Sequence, residues 1–156
     1  KIPFEFTNRD SIPEGKNPGD CIVIKPITVR TWFKIRPLLL EIEKEDIDRM
    51  IVKEGELPED FPELMNKYGE LLLDVVCLGI HNKPNNPPEW FKQVLADNST
   101  WEDIRILFNA IIYRIGYHPF CTSITMLRNV SPLRETEIIA AQKNLQSWKD
   151  TTKADS

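Results

Sequence analysis

Two cysteine–histidine pairs are the strongest candidates for metal or nucleophile chemistry in this chain. Cys77 stands four positions before His81, and His118 stands three positions before Cys121. Each spacing would place both side chains on one face of a helix, and four cysteine and histidine ligands suit a tetrahedral zinc ion. The same residues could instead supply a cysteine nucleophile with a histidine base.

Both interpretations compete with a structural role for the same residues. Cys77 lies in the apolar run LLLDVVCLGI, where a buried thiol packs as a small hydrophobic group. His81 and His118 stand beside turn residues, where an imidazole often satisfies the carbonyl groups at a helix end. The spacings miss the usual C-x₂₋₄-C pairing of zinc sites, and no oxyanion turn accompanies the thiols. We therefore expect no metal, no cofactor and no enzymatic activity.

Other patterns narrow the class of function further. No phosphate-binding loop of the GxGxxG or GxxxxGK[ST] type occurs, and the acid pairs Glu43/Asp46 and Glu59/Asp60 lie in charge-rich stretches that predict solvated helix caps. The net charge of −4 disfavours nucleic acid as a partner, because phosphate binding needs a concentrated basic face. No run of about 20 apolar residues predicts a membrane span. Three cysteines without secretory features favour reduced thiols and a cytoplasmic location.

The segment Ser99–Gly116 is the element that best indicates how the protein works. Its central residues ILFNAIIY contain one polar side chain, Asn109, so we expect other helices or another subunit to cover it on nearly every side. Ser99 and Glu102 match a capping box at its start, and Gly116 suits the position that follows its last turn. The residues expected to make core or oligomer contacts are Trp101, Leu107, Phe108, Ile111 and Ile112.

Amphipathic helices are predicted before and after this segment. The first begins at Thr28 or Thr31, has a kink or boundary near Arg36, before Pro37, and continues with weaker periodicity over residues 43–52. The others cover residues 61–80, 88–96, 120–128 and 131–148, with a turn at 117–119. Together these segments predict an all-α fold, a compact bundle of about five to six helices.

The two ends of the chain differ from this helical part. Residues 1–27 predict an extended, poorly packed arm, in which CIVIKPITV could form a short strand paired with IPFEF or with a neighbouring subunit. Residues 28–148 form the predicted helical domain, and the polar residues 149–156 form a disordered tail. Trp148, which adjoins that tail, is assigned to partner contact.

Four stretches carry a resemblance to a known family: TVRTWF with its leucine run, YGELLLDVVCLGIHN, PPEWFKQVLADNSTWEDIRILFNAIIYRIG and NVSPLRETEIIAAQKNLQSW. Over about residues 26–148 the chain resembles the small helical tail assembly chaperones of tailed phages and prophages, of the type found with Bacteroides-like hosts. The resemblance implies no catalysis and no cofactor. It implies binding to the tape-measure protein, whose hydrophobic helices are kept soluble while the tail tube assembles in the bacterial cytoplasm.

Three functions from different classes follow as hypotheses. The first is a tail assembly chaperone that binds the tape-measure or another tail protein by helix-in-groove packing, and whose apolar faces also favour a homo-oligomer. The second is a structural component of the virion, a connector or cargo protein whose N-terminal arm laces neighbouring subunits. The third is a zinc- or thiol-dependent enzyme.

Overall fold

The computed structural model describes residues 1–51, 55–130, 139–140 and 142–146. These residues form six helices and one two-stranded sheet, with further helical residues at 139–140 and 142–146, so the predicted all-α class is confirmed. Trp148, the predicted tail 149–156 and most of the predicted last helix lie outside the described residues.

The chain divides into two compact units, one from Lys1 to Gly116 and one that begins at Tyr117. The predicted boundary between residues 27 and 28 falls inside the first unit. In chain order the elements are β1 (Ile2–Pro3), β2 (Cys21–Ile22), α1 (Val29–Leu40), α2 (Lys44–Met50), α3 (Phe61–His81), α4 (Glu89–Asn98), α5 (Trp101–Arg114) and α6 (Tyr117–Val130).

The contact between α3 and α5 forms the centre of the first unit. Val75 and Val76 of α3 and Leu107 and Ile111 of α5 are almost completely buried. Gly79 makes this contact close, because a Cβ atom placed there would lie 2.5 Å from Cδ1 of Ile111. Gly79 lies in the last turn of α3, and the absence of a side chain there permits the two helices to approach each other.

The elements of the first unit cover α5 on one face. Ile104, Leu107 and Ile111 form one buried face, at the three- and four-residue spacing of a helix. Ile112 is 40% exposed and Tyr113 is 84% exposed. Within the first unit neighbouring elements cover one face of α5, and coverage of its remaining faces by other helices or another subunit stays a prediction.

The N-terminal 27 residues pack on this core instead of forming a loose arm. β1 and β2 pair antiparallel, with Ile2 opposite Ile22, which confirms the pairing within the chain that the sequence allowed. Phe4 and Phe6 are buried, with ring centroids 4.6 Å apart. The amide of Ile27 donates to the carbonyl of Arg114 at 2.9 Å, so this segment is joined to the end of α5.

Three helix boundaries differ from their predicted positions. The capping box of α5 is Thr100 with Asp103, one residue later than predicted, whereas Gly116 follows the helix with a positive φ of 80°, as expected. α1 does not end before Pro37 but continues to Leu40, although Pro37 has no N–H and one hydrogen bond of the helix is therefore missing. α6 already begins at Tyr117, where a turn was expected, because a proline in the first turn removes an N–H that has no partner within the helix.

Candidate functional site

An apolar groove lies among α1, α2, α3 and the first half of α5, and we call it the α3 groove. Its volume is about 480 Å³. The residues that line it are Leu39, Ile42, Met50, Pro58, Phe61, Leu64, Met65, Tyr68, Gly69, Leu71, Leu72, Val75, Trp101, Arg105 and Phe108.

α3 supplies both the floor and part of the rim of this groove. Leu64, Leu72 and Val75 recur at the spacing that places side chains on one face of a helix, and both Leu64 and Val75 are buried. Phe61 and Met65 line the same groove but remain 38% and 43% exposed. A buried floor with an accessible rim is the arrangement that accepts apolar side chains from a ligand in solution.

Trp101 forms an aromatic edge of the groove. It is the first residue of α5, and the capping box of Thr100 and Asp103 holds that helix end, with the Thr100 amide donating to Asp103 Oδ2 at 2.8 Å. The indole packs over Gly69, where a Cβ atom would lie 3.1 Å from Trp101 Cη2. Half of the side chain remains exposed. Tryptophan at the edge of an apolar cleft is the residue type most enriched among energetic hot spots of protein interfaces.

A network of charged side chains attaches α2 to α3 beside the groove. Asp46 is 3% exposed and accepts hydrogen bonds from Lys67 Nζ at 2.6 Å, the Tyr68 hydroxyl at 2.6 Å and Arg49 Nη1 at 2.8 Å. These donors, Lys67 foremost, lower the pKa of the Asp46 carboxyl to about 2. Arg49 Nε also donates to Asp60 Oδ2 at 2.7 Å. The expectation of a solvated Asp46 is therefore wrong, and α2 is a wall of the groove that ionic contacts hold in place.

The tyrosine and the arginine that line the groove both have partners. The Tyr68 hydroxyl donates to Asp46 and accepts from the backbone amide of Glu43 at 3.1 Å. Arg105 Nε donates to Glu102 Oε2 at 2.8 Å. Neither group presents an uncompensated charge or a free nucleophile to a ligand, so the groove selects for apolar surface and for shape.

A second cavity, of about 530 Å³, shares Met65, Gly69 and Trp101 with the groove. Its remaining lining includes Asn66 and Glu70, so its surface is more polar. Trp101 therefore borders two cavities of different polarity, and the apolar one is the better candidate for binding a hydrophobic segment.

The structure separates the residues that the sequence grouped as contact candidates. Trp101 and Phe108 line the α3 groove, whereas Leu107 and Ile111 belong to the buried core. Ile112 is exposed and does not line the groove. Three groove residues of α3 were not predicted as contact residues, although the broad apolar face of that helix was the available signal: Phe61, Met65 and Leu72.

The cysteine–histidine pairs occupy different units of the chain. Cys77 and His81 lie on α3 of the first unit, and His118 and Cys121 lie on α6 of the second. Burial raises the pKa of the Cys77 thiol to about 12, so the thiolate that metal binding or nucleophilic attack needs is disfavoured at neutral pH. Among the described residues, no group of three or more histidine, cysteine, aspartate and glutamate side chains is arranged to hold a metal ion.

Comparison of the chain with protein-family models, curated proteins and solved structures gives no significant match. In the part of the chain that the structure describes, no helix has both the length and the apolar character needed to cross a membrane.

Proposed function

We propose that this protein is a non-enzymatic binding protein that holds an amphipathic helix of a partner in the α3 groove during an assembly process. The observation that carries the proposal is the groove itself, with its apolar floor and its accessible rim of aromatic and methionine side chains. Grooves of this kind take up apolar side chains spaced at i, i+3, i+4 and i+7 on a helix. Methionine at the rim favours a binding surface that adapts to more than one ligand sequence.

The partner that we propose is the tape-measure protein of a tailed phage or prophage. This choice comes from the resemblance of residues 26–148 to tail assembly chaperones, and the groove supports it by offering a binding mode for hydrophobic helices. The alternative role as a structural virion component was favoured by the N-terminal arm, which could lace neighbouring subunits. Because Phe4, Phe6 and Ile22 are buried in the core of the first unit, that segment lends the alternative no separate support.

Direct binding measurements with helical peptides test the proposal. The probes are fluorescently labelled peptides that tile the helical region of the tape-measure protein from the same genome, and fluorescence anisotropy reports their affinity. The groove variant is Met65→Lys, at a rim position that is 43% exposed. The matched control is Ile106→Lys on α5, at a position that is 40% exposed and does not line the groove.

We expect at least one peptide to bind the wild-type protein, and Met65→Lys to weaken that binding by about tenfold or more. The reason is that a docked helix would bury the new ammonium group without a partner. Ile106→Lys is expected to bind as the wild type does. Equal affinities for the wild type and Met65→Lys, or equal losses in both variants, would refute the groove as the binding site.

A further inference from the structure

α6 carries an exposed apolar stripe of the kind that the α3 groove would accept. The α6 stripe consists of Tyr117, Phe120, Ile124 and Leu127, whose three- and four-residue spacing places them along one face of the helix. Their side chains are 74%, 61%, 50% and 68% exposed, respectively. Bulky apolar residues at this spacing are the anchors by which a helix docks into a hydrophobic groove.

We infer that two copies of this chain form a dimer by reciprocal exchange, in which the α6 stripe of each copy occupies the α3 groove of the other. The inference rests on the proposed helix-binding role of the groove and adds a second copy as the occupant when the partner protein is absent. A partner helix would then compete with α6 for the same groove.

The area that the contacts would bury favours reciprocal exchange over a single contact. Aromatic side chains bury roughly 150–250 Å² each and aliphatic ones less, so the two aromatic and two aliphatic side chains of the α6 stripe, all partly exposed, offer about 400–500 Å². One stripe in one groove would bury about 900 Å² in total, counting both surfaces, which is less than the roughly 1,200 Å² of the smallest stable specific interfaces. Two α6 helices packed on each other by their stripes would also bury only about 900 Å², which is again less than a stable specific interface needs. Two reciprocal contacts would bury about 1,800 Å², which lies within the standard range.

Electrostatics is consistent with this arrangement. α6 contains no aspartate or glutamate and carries Arg128 in its last turn. The whole chain has a net charge of −4, so the remainder of the molecule is acidic. A helix without carboxylates that approaches a second, acidic copy meets weak attraction rather than repulsion.

The oligomeric state of matched variants of the full chain tests the inference. The stripe variant is Ile124→Lys and the groove variant is Met65→Lys. Their controls are Met126→Lys, at a position 60% exposed on the opposite face of α6, and Ile106→Lys on α5. Sedimentation velocity over the micromolar range gives the mass of each protein, and circular dichroism checks that each variant is folded.

We expect the wild type and both controls to be dimers, and the stripe and groove variants each to be monomers. Mixing the two monomeric variants restores one of the two contacts, so a heterodimer that neither variant forms alone should appear, but only at concentrations well above those at which the wild type dimerises. A monomeric wild type would overturn the inference. So would a groove variant that stays dimeric, because that result would indicate pairing of α6 with α6.

Peptide binding separates a failure of this inference from a failure of the proposed function. If α6 occupies the groove, the Ile124→Lys variant binds a helical peptide more tightly than the wild type does, since the competing helix is removed. A wild type that is monomeric but still binds the peptide overturns only the exchange of α6. A dimeric wild type, together with an Ile124→Lys variant that binds no peptide although its groove is free, supports the exchange and removes the proposed partner.

Discussion

Two glycines of α3, Gly69 near its middle and Gly79 in its last turn, allow the close packing of the first unit to be tested with one type of substitution. Alanine in place of glycine inside a helix gains about 1 kcal/mol from backbone propensity. At Gly79 the new Cβ would lie 2.5, 2.7 and 2.8 Å from three carbon atoms of Ile111, a side chain that is completely buried. At Gly69 the nearest atom is Cη2 of the half-exposed Trp101, at 3.1 Å.

The two substitutions should therefore change stability in opposite directions. Overpacking a core costs about 1–3 kcal/mol, and the propensity gain is smaller in the last turn of a helix than in its interior, so Gly79→Ala should lower the free energy of unfolding by roughly 1–2 kcal/mol. Gly69→Ala should raise it by a few tenths to about 1 kcal/mol, because the Trp101 ring can shift toward solvent. Urea unfolding followed by tryptophan fluorescence measures both values.

A double-mutant cycle identifies the cause of the loss. Ile111→Val removes Cδ1, the atom nearest the new methyl group, and by itself costs about 0.5–1.5 kcal/mol. In that background Gly79→Ala should cost at least about 0.5 kcal/mol less than it does in the wild type. Additive changes, or a Gly79→Ala variant as stable as Gly69→Ala, would refute the argument that Gly79 is required for the approach of α5.

Two further predictions concern ionisable groups. Because hydrogen bonds from Lys67, Tyr68 and Arg49 lower the pKa of Asp46 from 3.8 to about 2, its stabilising effect is present above about pH 4 and is lost as the pH falls toward 2. Asp46→Asn should remove this pH dependence and should speed amide hydrogen exchange in α2 at neutral pH. Unchanged exchange in α2 would contradict the role of the Asp46 network in attaching α2 to α3. Since the pKa of the Cys77 thiol is raised to about 12 and its side chain is buried, iodoacetamide should modify Cys21 and Cys121 of the native protein at pH 8 and leave Cys77 unmodified until unfolding. Rapid alkylation of native Cys77, detected by peptide mass spectrometry, would contradict its burial.

Local sequence patterns predicted where the helices lie better than they predicted the residues at which the helices begin and end. The apolar periodicity of residues 61–80 predicted α3 within one residue at its C-terminal end, and Gly116 was correctly placed after α5. Thr28 is the N-cap of α1, with its side chain accepting from the Thr31 amide at 3.2 Å. The capping box of α5 was assigned one residue too early, because Ser99 and Thr100 are both good caps and Glu102 and Asp103 both suit the matching position.

The candidate site was predicted in part, for a physical reason. Trp101 and Phe108 were selected because they stand in an apolar helix, and both line the α3 groove. Leu107 and Ile111 were selected on the same grounds but are buried. Composition shows that a side chain is apolar, whereas its burial depends on which helix packs against it.

The sequence by itself determined the all-α class, the positions of the main helices and the apolar character of α3 and α5, because these properties depend on interactions between residues close together in the chain. Only the tertiary structure decided that residues 1–27 pack on the core, that Asp46 is buried in an ionic network and that α3 and α5 leave an apolar groove between them and α2. These features depend on contacts between residues far apart in the chain. The spacing of residues within one helix carries no information about such contacts.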